Sequence, residues 1–192
     1  VTGNYSTSSI NNGNLTLSKV GADGVIQSTI EVTTAVLGDK VPNVYATASW
    51  LNADSTVSVA YVRGNYLYLT QVNPATGVTL ATEPEALITA PQTVSGRTLQ
   101  PVQLPDGSIL LTADSTGNNV TYLRFVNNTL VSSFDVNLPS SDTWLNTIVL
   151  SDGHVATLGY NASTQALTLK IIDPLSADTN KVVSSITYTS SQ

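Results

Sequence analysis

The sequence predicts an all-β chain assembled from repeated four-stranded units. Three observations carry that expectation. Apolar and polar residues alternate in short runs, turn-forming residues separate the runs at close intervals, and one strand pattern recurs four times. Alternation with a period of two is what a half-buried strand requires, because successive side chains leave a strand on opposite faces. Gly, Asn, Asp and Pro between such runs supply the φ angles that tight hairpins need. No segment shows helical periodicity. Glu83 to Ala90 comes nearest, is short and contains Pro84, and therefore reads as a linker.

The recurring strand is Leu15 to Val20, Leu67 to Val72, Thr121 to Val126 and Leu167 to Ile172. These segments align without gaps and start 52, 54 and 46 residues apart. Each is followed by a turn and another strand. Gly21-Ala22-Asp23-Gly24 leads to Val25 to Val32, Asn73-Pro74-Ala75-Thr76-Gly77 to Val78 to Thr82, and Asn127-Asn128 to Thr129 to Val136. Asp173-Pro174 opens a longer loop before Val182 to Tyr188.

Each is also preceded by a strand: Tyr5 to Ile10, Val57 to Val62, Ile109 to Thr112 and Val155 to Tyr160. One strand further upstream completes three of the units. Val44 to Leu51 runs into Asn52-Ala53-Asp54-Ser55, Leu99 to Leu104 into Pro105-Asp106-Gly107, and Trp144 to Leu150 into Ser151-Asp152-Gly153. Asp-Gly between alternating apolar runs is a strong hairpin signal, because Gly accepts the positive φ of a tight turn.

The unit is thus strand A, turn, B, turn, C, turn, D, with a linker to the next A. A four-stranded unit of about 40–50 residues is the blade of a β-propeller. Residues 1–192 then form a single propeller-type region: a partial blade of strands B to D at 1–40, and blades at 41–97, 98–140 and 141–192. An arc within a longer chain is expected rather than a small closed ring. Tandem β-sandwich domains of about 95 residues would show similar strands and turns, but their self-similarity would recur at that longer period.

The stretch Leu99-Gln100-Pro101-Val102-Gln103-Leu104-Pro105-Asp106-Gly107, with the apolar Ile109-Leu110-Leu111 after it, resembles propeller repeats of large bacterial or archaeal secreted and surface proteins. Leu150-Ser151-Asp152-Gly153 is similar, and Trp50-Leu51-Asn52-Ala53-Asp54-Ser55 is an echo without the Gly. The resemblance covers most of 41–192 and implies blade architecture and exposure outside the cell, not one activity. The first unit departs from it by lacking strand A.

Composition points the same way. Hydrophobic residues make up 41% of the chain, enough for a core, while only 10% are charged, against roughly 25% in an average soluble domain. Polarity comes from Ser, Thr, Asn and Gln, as suits an extracellular or cell-surface protein. The net charge is −6 and the seven basic residues are scattered. No basic stripe exists to neutralise phosphates, so neither nucleic acid nor an anionic membrane surface is an expected partner. No apolar run approaches the ~20 residues of a membrane span. The absence of cysteine removes disulfides and thiolate metal sites.

Residues able to do chemistry are few. His154 is the single histidine, follows an Asp-Gly turn and has no Gly-x-Ser-x-Gly elbow to accompany it, so it reads as an exposed hairpin residue. Zinc would want more nitrogen and sulfur ligands than one histidine. Asp23, Asp54, Asp106 and Asp152 stand at hairpin turns outside any calcium-loop string, and turn formation accounts for them; calcium is the weak cofactor candidate. Glu83 and Glu85 form the close glutamate pair a glycosidase or lyase could use, in a loop where propeller sites lie, although linker solvation explains them more simply. Tyr66, Tyr68, Tyr122, Phe125 and Trp50 lie in strands and should pack in the core. Trp144 opens a strand near Ser140-Ser141-Asp142 and, if exposed, would suit stacking on a sugar ring. Asn-x-Ser/Thr sequons occur at Asn4, Asn14, Asn119, Asn127 and Asn161, and matter where the source glycosylates this motif.

The expectation is a non-enzymatic extracellular or surface region serving adhesion or ligand binding, or a structural part of a surface assembly, with no catalytic, cofactor-binding or metal residue assigned. Its partners would be a protein or glycan ligand, or like subunits in self-assembly. The alternative is a carbohydrate-active enzyme fragment.

Overall fold

In the computed structural model the chain is strand and turn throughout the described residues, which are 4–9, 15–32, 44–63, 66–80, 86–88, 99–114, 119–139 and 142–189. The strands in chain order are β1 (Asn4–Ser9), β2 (Leu15–Val20), β3 (Ile26–Glu31), β4 (Val44–Leu51), β5 (Val57–Arg63), β6 (Tyr66–Val72), β7 (Ala86–Ile88) and β8 (Leu99–Gln103). They continue with β9 (Ile109–Asp114), β10 (Asn119–Val126), β11 (Thr129–Asn137), β12 (Asp142–Val149), β13 (Val155–Asn161), β14 (Ala166–Ile172) and β15 (Val182–Thr189). They form four meandering sheets whose neighbours in space are neighbours in sequence: β1-β2-β3, β4-β5-β6-β7, β8-β9-β10-β11 and β12-β13-β14-β15. Four-stranded antiparallel meanders of this kind are propeller blades. The chain divides into two compact units, Val1–Leu99 and Gln100–Gln192.

Two sequence expectations are corrected. The outermost strand of the second sheet is β7, inside the stretch read as a linker, and not Val78 to Thr82. Among the described residues of that stretch, Thr79 makes only an isolated bridge to Val72, and the Leu80 amide donates to the Gln71 carbonyl at 2.8 Å. Gly77, at φ 75, turns the chain back onto β6, and only 2.7 Å would separate a Cβ there from the Glu31 carbonyl. That close approach ties the turn to β3, so pairing resumes further along the chain.

The second correction concerns the register of the repeat. The ladder between strands B and C pairs Val57 with Val72, Ile109 with Phe125 and Val155 with Ile172. Val72, Phe125 and Ile172 are therefore equivalent, and Val120 rather than Thr121 corresponds to Leu67 and Leu167. A bulge marks the same place independently: the register to strand D shifts just before Val20, Phe125 and Ile172. The gapless alignment placed Tyr122 with Thr168, whereas the ladder places it with Leu169. One residue of slip exchanges the two faces of a strand. Pattern alone missed it because Thr121, Tyr122, Leu123 and Phe125 are all buried, which removes the alternation that would set the phase.

Each unit is held by one sheet packing on the next. In the first, Leu15, Leu17 and Val32 meet Val57, Val59 and Tyr61, with Ile30 and Tyr68 packed against them. Tyr61 and Tyr68 stack with ring centroids 5.4 Å apart. In the second, Leu110, Val120, Tyr122 and Val136 pack on Trp144, Val155 and Ile172. We call the face bearing Leu110, Val120 and Tyr122 the front of its sheet, and the face bearing Val155, Thr157 and Ile172 the back. On strand B of that back the residues are small or β-branched, Val155, Thr157 and Gly159, with Trp144 of β12 beside them. Gly159 belongs to that back, and a Cβ on it would come within 3.2 Å of Leu138.

Candidate functional site

The turns joining strands A and B are built by one device used three times. In each, an Asp three residues before strand B accepts the amide of the residue two positions on. Asp54 Oδ1 takes the Thr56 amide at 3.0 Å, Asp106 Oδ1 the Ser108 amide at 2.9 Å and Asp152 Oδ1 the His154 amide at 3.0 Å. The residue between them is left-handed: Ser55 at φ 66, Gly107 at 83 and Gly153 at 90. Such Asx turns are what Asp does at hairpins. Asp23 acts alike, accepting the Val25 amide at 3.0 Å.

These hydrogen bonds favour the ionised carboxylates. The Thr56 hydroxyl, donating at 2.6 Å, holds the Asp54 carboxyl below its usual value, with the Thr56 amide adding to it. The Ser108 hydroxyl does so for Asp106, which also pairs with Arg124 Nη2 at 2.6 Å. The His154 amide, then its side chain, does so for Asp152. His154 Nδ1 lies 2.9 Å from Asp152 Oδ2, in a contact poorly directed as a hydrogen bond. His154 is thus a half-buried turn residue beside the carboxylate of its own hairpin. Among the described residues no group of three or more His, Cys, Asp or Glu stands where it could hold a metal ion. Glu83 and Glu85 lie outside the described residues.

The aromatic residues are mostly interior. Trp50, Tyr61, Tyr122, Phe125 and Trp144 are buried, and Tyr68 is half-buried. Trp144 faces the core, the simpler of the two readings its sequence position allows, and its indole Nε1 donates to Thr147 Oγ1 at 3.1 Å, so it offers no sugar platform. The side chain of Tyr66 lies outside the description. Of the sequons, Asn127 is exposed in a two-residue turn at φ 48, and Asn119 is half-buried. Asn161 is buried, and its Oδ1 accepts the amides of Ser163 and Thr164, so that side chain is already committed to its turn. The side chains of Asn4 and Asn14 are outside the description.

Two features escaped sequence reasoning. The first is a polar clamp at the centre of the second unit. Gln100 Nε2 donates to the Thr147 carbonyl at 2.8 Å, while its Oε1 accepts the Thr147 amide at 3.0 Å. A β8 side chain thereby replaces a backbone partner of β12. Beside it the Tyr122 hydroxyl and Thr157 Oγ1 share a hydrogen bond. Burial pushes the Tyr122 phenol up to about 12, partly offset by its hydroxyl partners Thr157 and Thr147. Nothing in the sequence marks Gln100, because a polar residue in an alternating strand reads as solvent-facing.

The second feature is the front of the β12–β15 sheet. The ladders place Leu158 beside Leu169 and Ile186, and Tyr160 beside Leu167 and Tyr188. Leu167 is 38% exposed, Ile186 44% and Tyr188 58%. The clustering depends on two ladders joining three strands, so no single strand's pattern reveals it. This patch is apolar and uncharged, whereas the turn carboxylates accept hydrogen bonds within their own hairpins.

No family model matches the chain, and no curated protein matches it. Among solved structures it is similar to the Dos1 propeller, at 14% identity and a TM-score of 0.52, over 96% of this chain and 44% of that one. It is also similar to a bifunctional GH43-CE protein of Bacteroides eggerthii, at 12% identity and a TM-score of 0.44, over 88% of this chain and 24% of that one. The chain spans less than half the length of either. The first likeness, with the four-stranded sheets, establishes a β-propeller fold.

Proposed function

We propose that this chain is a non-enzymatic β-propeller region of an extracellular or cell-surface protein, acting by binding rather than by chemistry. The observation that carries the reading is the state of its turn groups. The carboxylates of Asp54, Asp106 and Asp152 each accept hydrogen bonds within their own hairpins, and His154 lies against Asp152. A general acid or base must be free to meet a substrate proton, and these groups serve as turn-formers instead. The low charge content, with Ser, Thr, Asn and Gln in its place, supports exposure outside the cell. The ligand would be a protein or glycan.

A glycan and protein array probed with the labelled chain tests the proposal, beside a hydrolysis assay on the same glycans. Binding without turnover is the expected outcome. Turnover that is lost with Glu83→Gln or Glu85→Gln would replace it with the carbohydrate-active reading.

A further inference from the structure

We infer that the front of the β12–β15 sheet is a docking surface for a further four-stranded blade of the same repeat, supplied by the same polypeptide. The corrected register makes the case, because it identifies this face with one already seen covered. The A–B turns align Leu104-Pro105-Asp106-Gly107 with Leu150-Ser151-Asp152-Gly153. Leu110 and Thr112 then correspond to Ala156 and Leu158, and the B–C ladders equate Val120 and Tyr122 with Leu167 and Leu169. In the β8–β11 sheet this front is sealed: Leu110, Thr112, Val120 and Tyr122 are all 0% exposed. In the β12–β15 sheet Ala156 is still buried, but Leu158 and Leu169 are half-buried and Leu167 is 38% exposed.

The face has the chemistry of an interface. In β13, β14 and β15 its positions hold Ala156, Leu158, Tyr160, then Leu167, Leu169, Ile171, then Ser184, Ile186, Tyr188, without one charge. The solvated face of an antiparallel sheet is usually polar, and a contiguous apolar patch marks an interaction site.

The covered front shows what fits. It is received by Val155, Thr157 and Gly159, a shallow row of small and β-branched residues on a strand B. Leu167 and Leu169, at the positions of Val120 and Tyr122, require the same kind of row. A second copy of this chain has no such row to spare among the described residues. Val59, Leu111 and Thr157, on the backs of the three sheets whose strand B side chains are described, are each 0% exposed. Within each unit, the sheet seated on a front is the next one in the chain. The same rule assigns the occupant here to the polypeptide that carries this chain.

The experiment introduces Leu167→Lys with Ile186→Lys into the 192-residue chain and into the full-length polypeptide. In the 192-residue chain the pair should leave the melting temperature and the circular dichroism unchanged, and sedimentation should show a monomer with or without them. In the full-length polypeptide the pair should lower the melting temperature by about 5 °C or more, since two charges would then be buried at an interface. An unmoved full-length melting temperature, or a polypeptide without another blade, overturns the inference. Concentration-dependent dimers of the 192-residue chain that the lysines disperse would overturn it too, in favour of a second copy.

Discussion

The β8–β11 and β12–β15 sheets share a strand plan, an Asp-Gly turn and a bulge at the same position, yet they live in different surroundings. Strand β10 is buried on both faces, with Tyr122 at 0% on the front and Leu123 and Phe125 at 1% on the back. Strand β14, its counterpart, is buried on the back, with Ile172 at 0%, and open on the front, with Leu167 at 38%. The difference lies in whether a neighbour covers the front. A residue's energetic weight follows that coverage, because the hydrophobic effect scales with the area removed from water.

Paired truncation at equivalent sites would break or sharpen this comparison most. Tyr122→Ala should cost about 3–5 kcal/mol, as for a large buried aromatic. Leu169→Ala, at the same register position on the uncovered front, should cost about 1 kcal/mol by its smaller burial. Denaturant unfolding of the two variants measures both. Equal costs would mean that the fronts are equally packed.

Alkaline unfolding comes next. The Tyr122 phenol is pushed up from 10.0 to about 12, so between those values the folded state keeps a proton that the unfolded state gives up. Stability is therefore present below about pH 10 and is lost as pH rises toward 12, by roughly 2–3 kcal/mol at 1.36 per unit. Tyr122→Phe should remove that share of the pH dependence. Urea midpoints from pH 9 to about 12 would show it.

The smallest expected effect is at the clamp. Gln100→Ala leaves the Thr147 carbonyl without its side-chain partner and the Thr147 amide with Asn146 Oδ1 alone, and should cost about 1–3 kcal/mol. Hydrogen exchange at Thr147 should rise with it, while the amides of β14 and β15 keep their ladder partners and their protection.

Much of the architecture was legible from residues alone. Strand B of the second, third and fourth units and all three Asp turns follow from alternation and turn chemistry, which are local. Failures came where the locality ended. Val78 to Thr82 has the pattern of a strand, but the left-handed Gly77 beside the Glu31 carbonyl diverts it. Gln100 has the look of a surface residue because hydrogen-bond geometry across two sheets is not written in either strand.

What the sequence determined by itself is the repeat: period, turns and the alternation that makes each segment a strand, all consequences of neighbouring side chains. What only the tertiary structure decided is phase and coverage. A strand buried on both faces, such as β10, carries no alternation to set its register, and a ladder to its neighbours must set it. Whether an apolar face is core or docking surface depends on what lies against it, and equivalent strands give Tyr122 one answer and Leu169 the other.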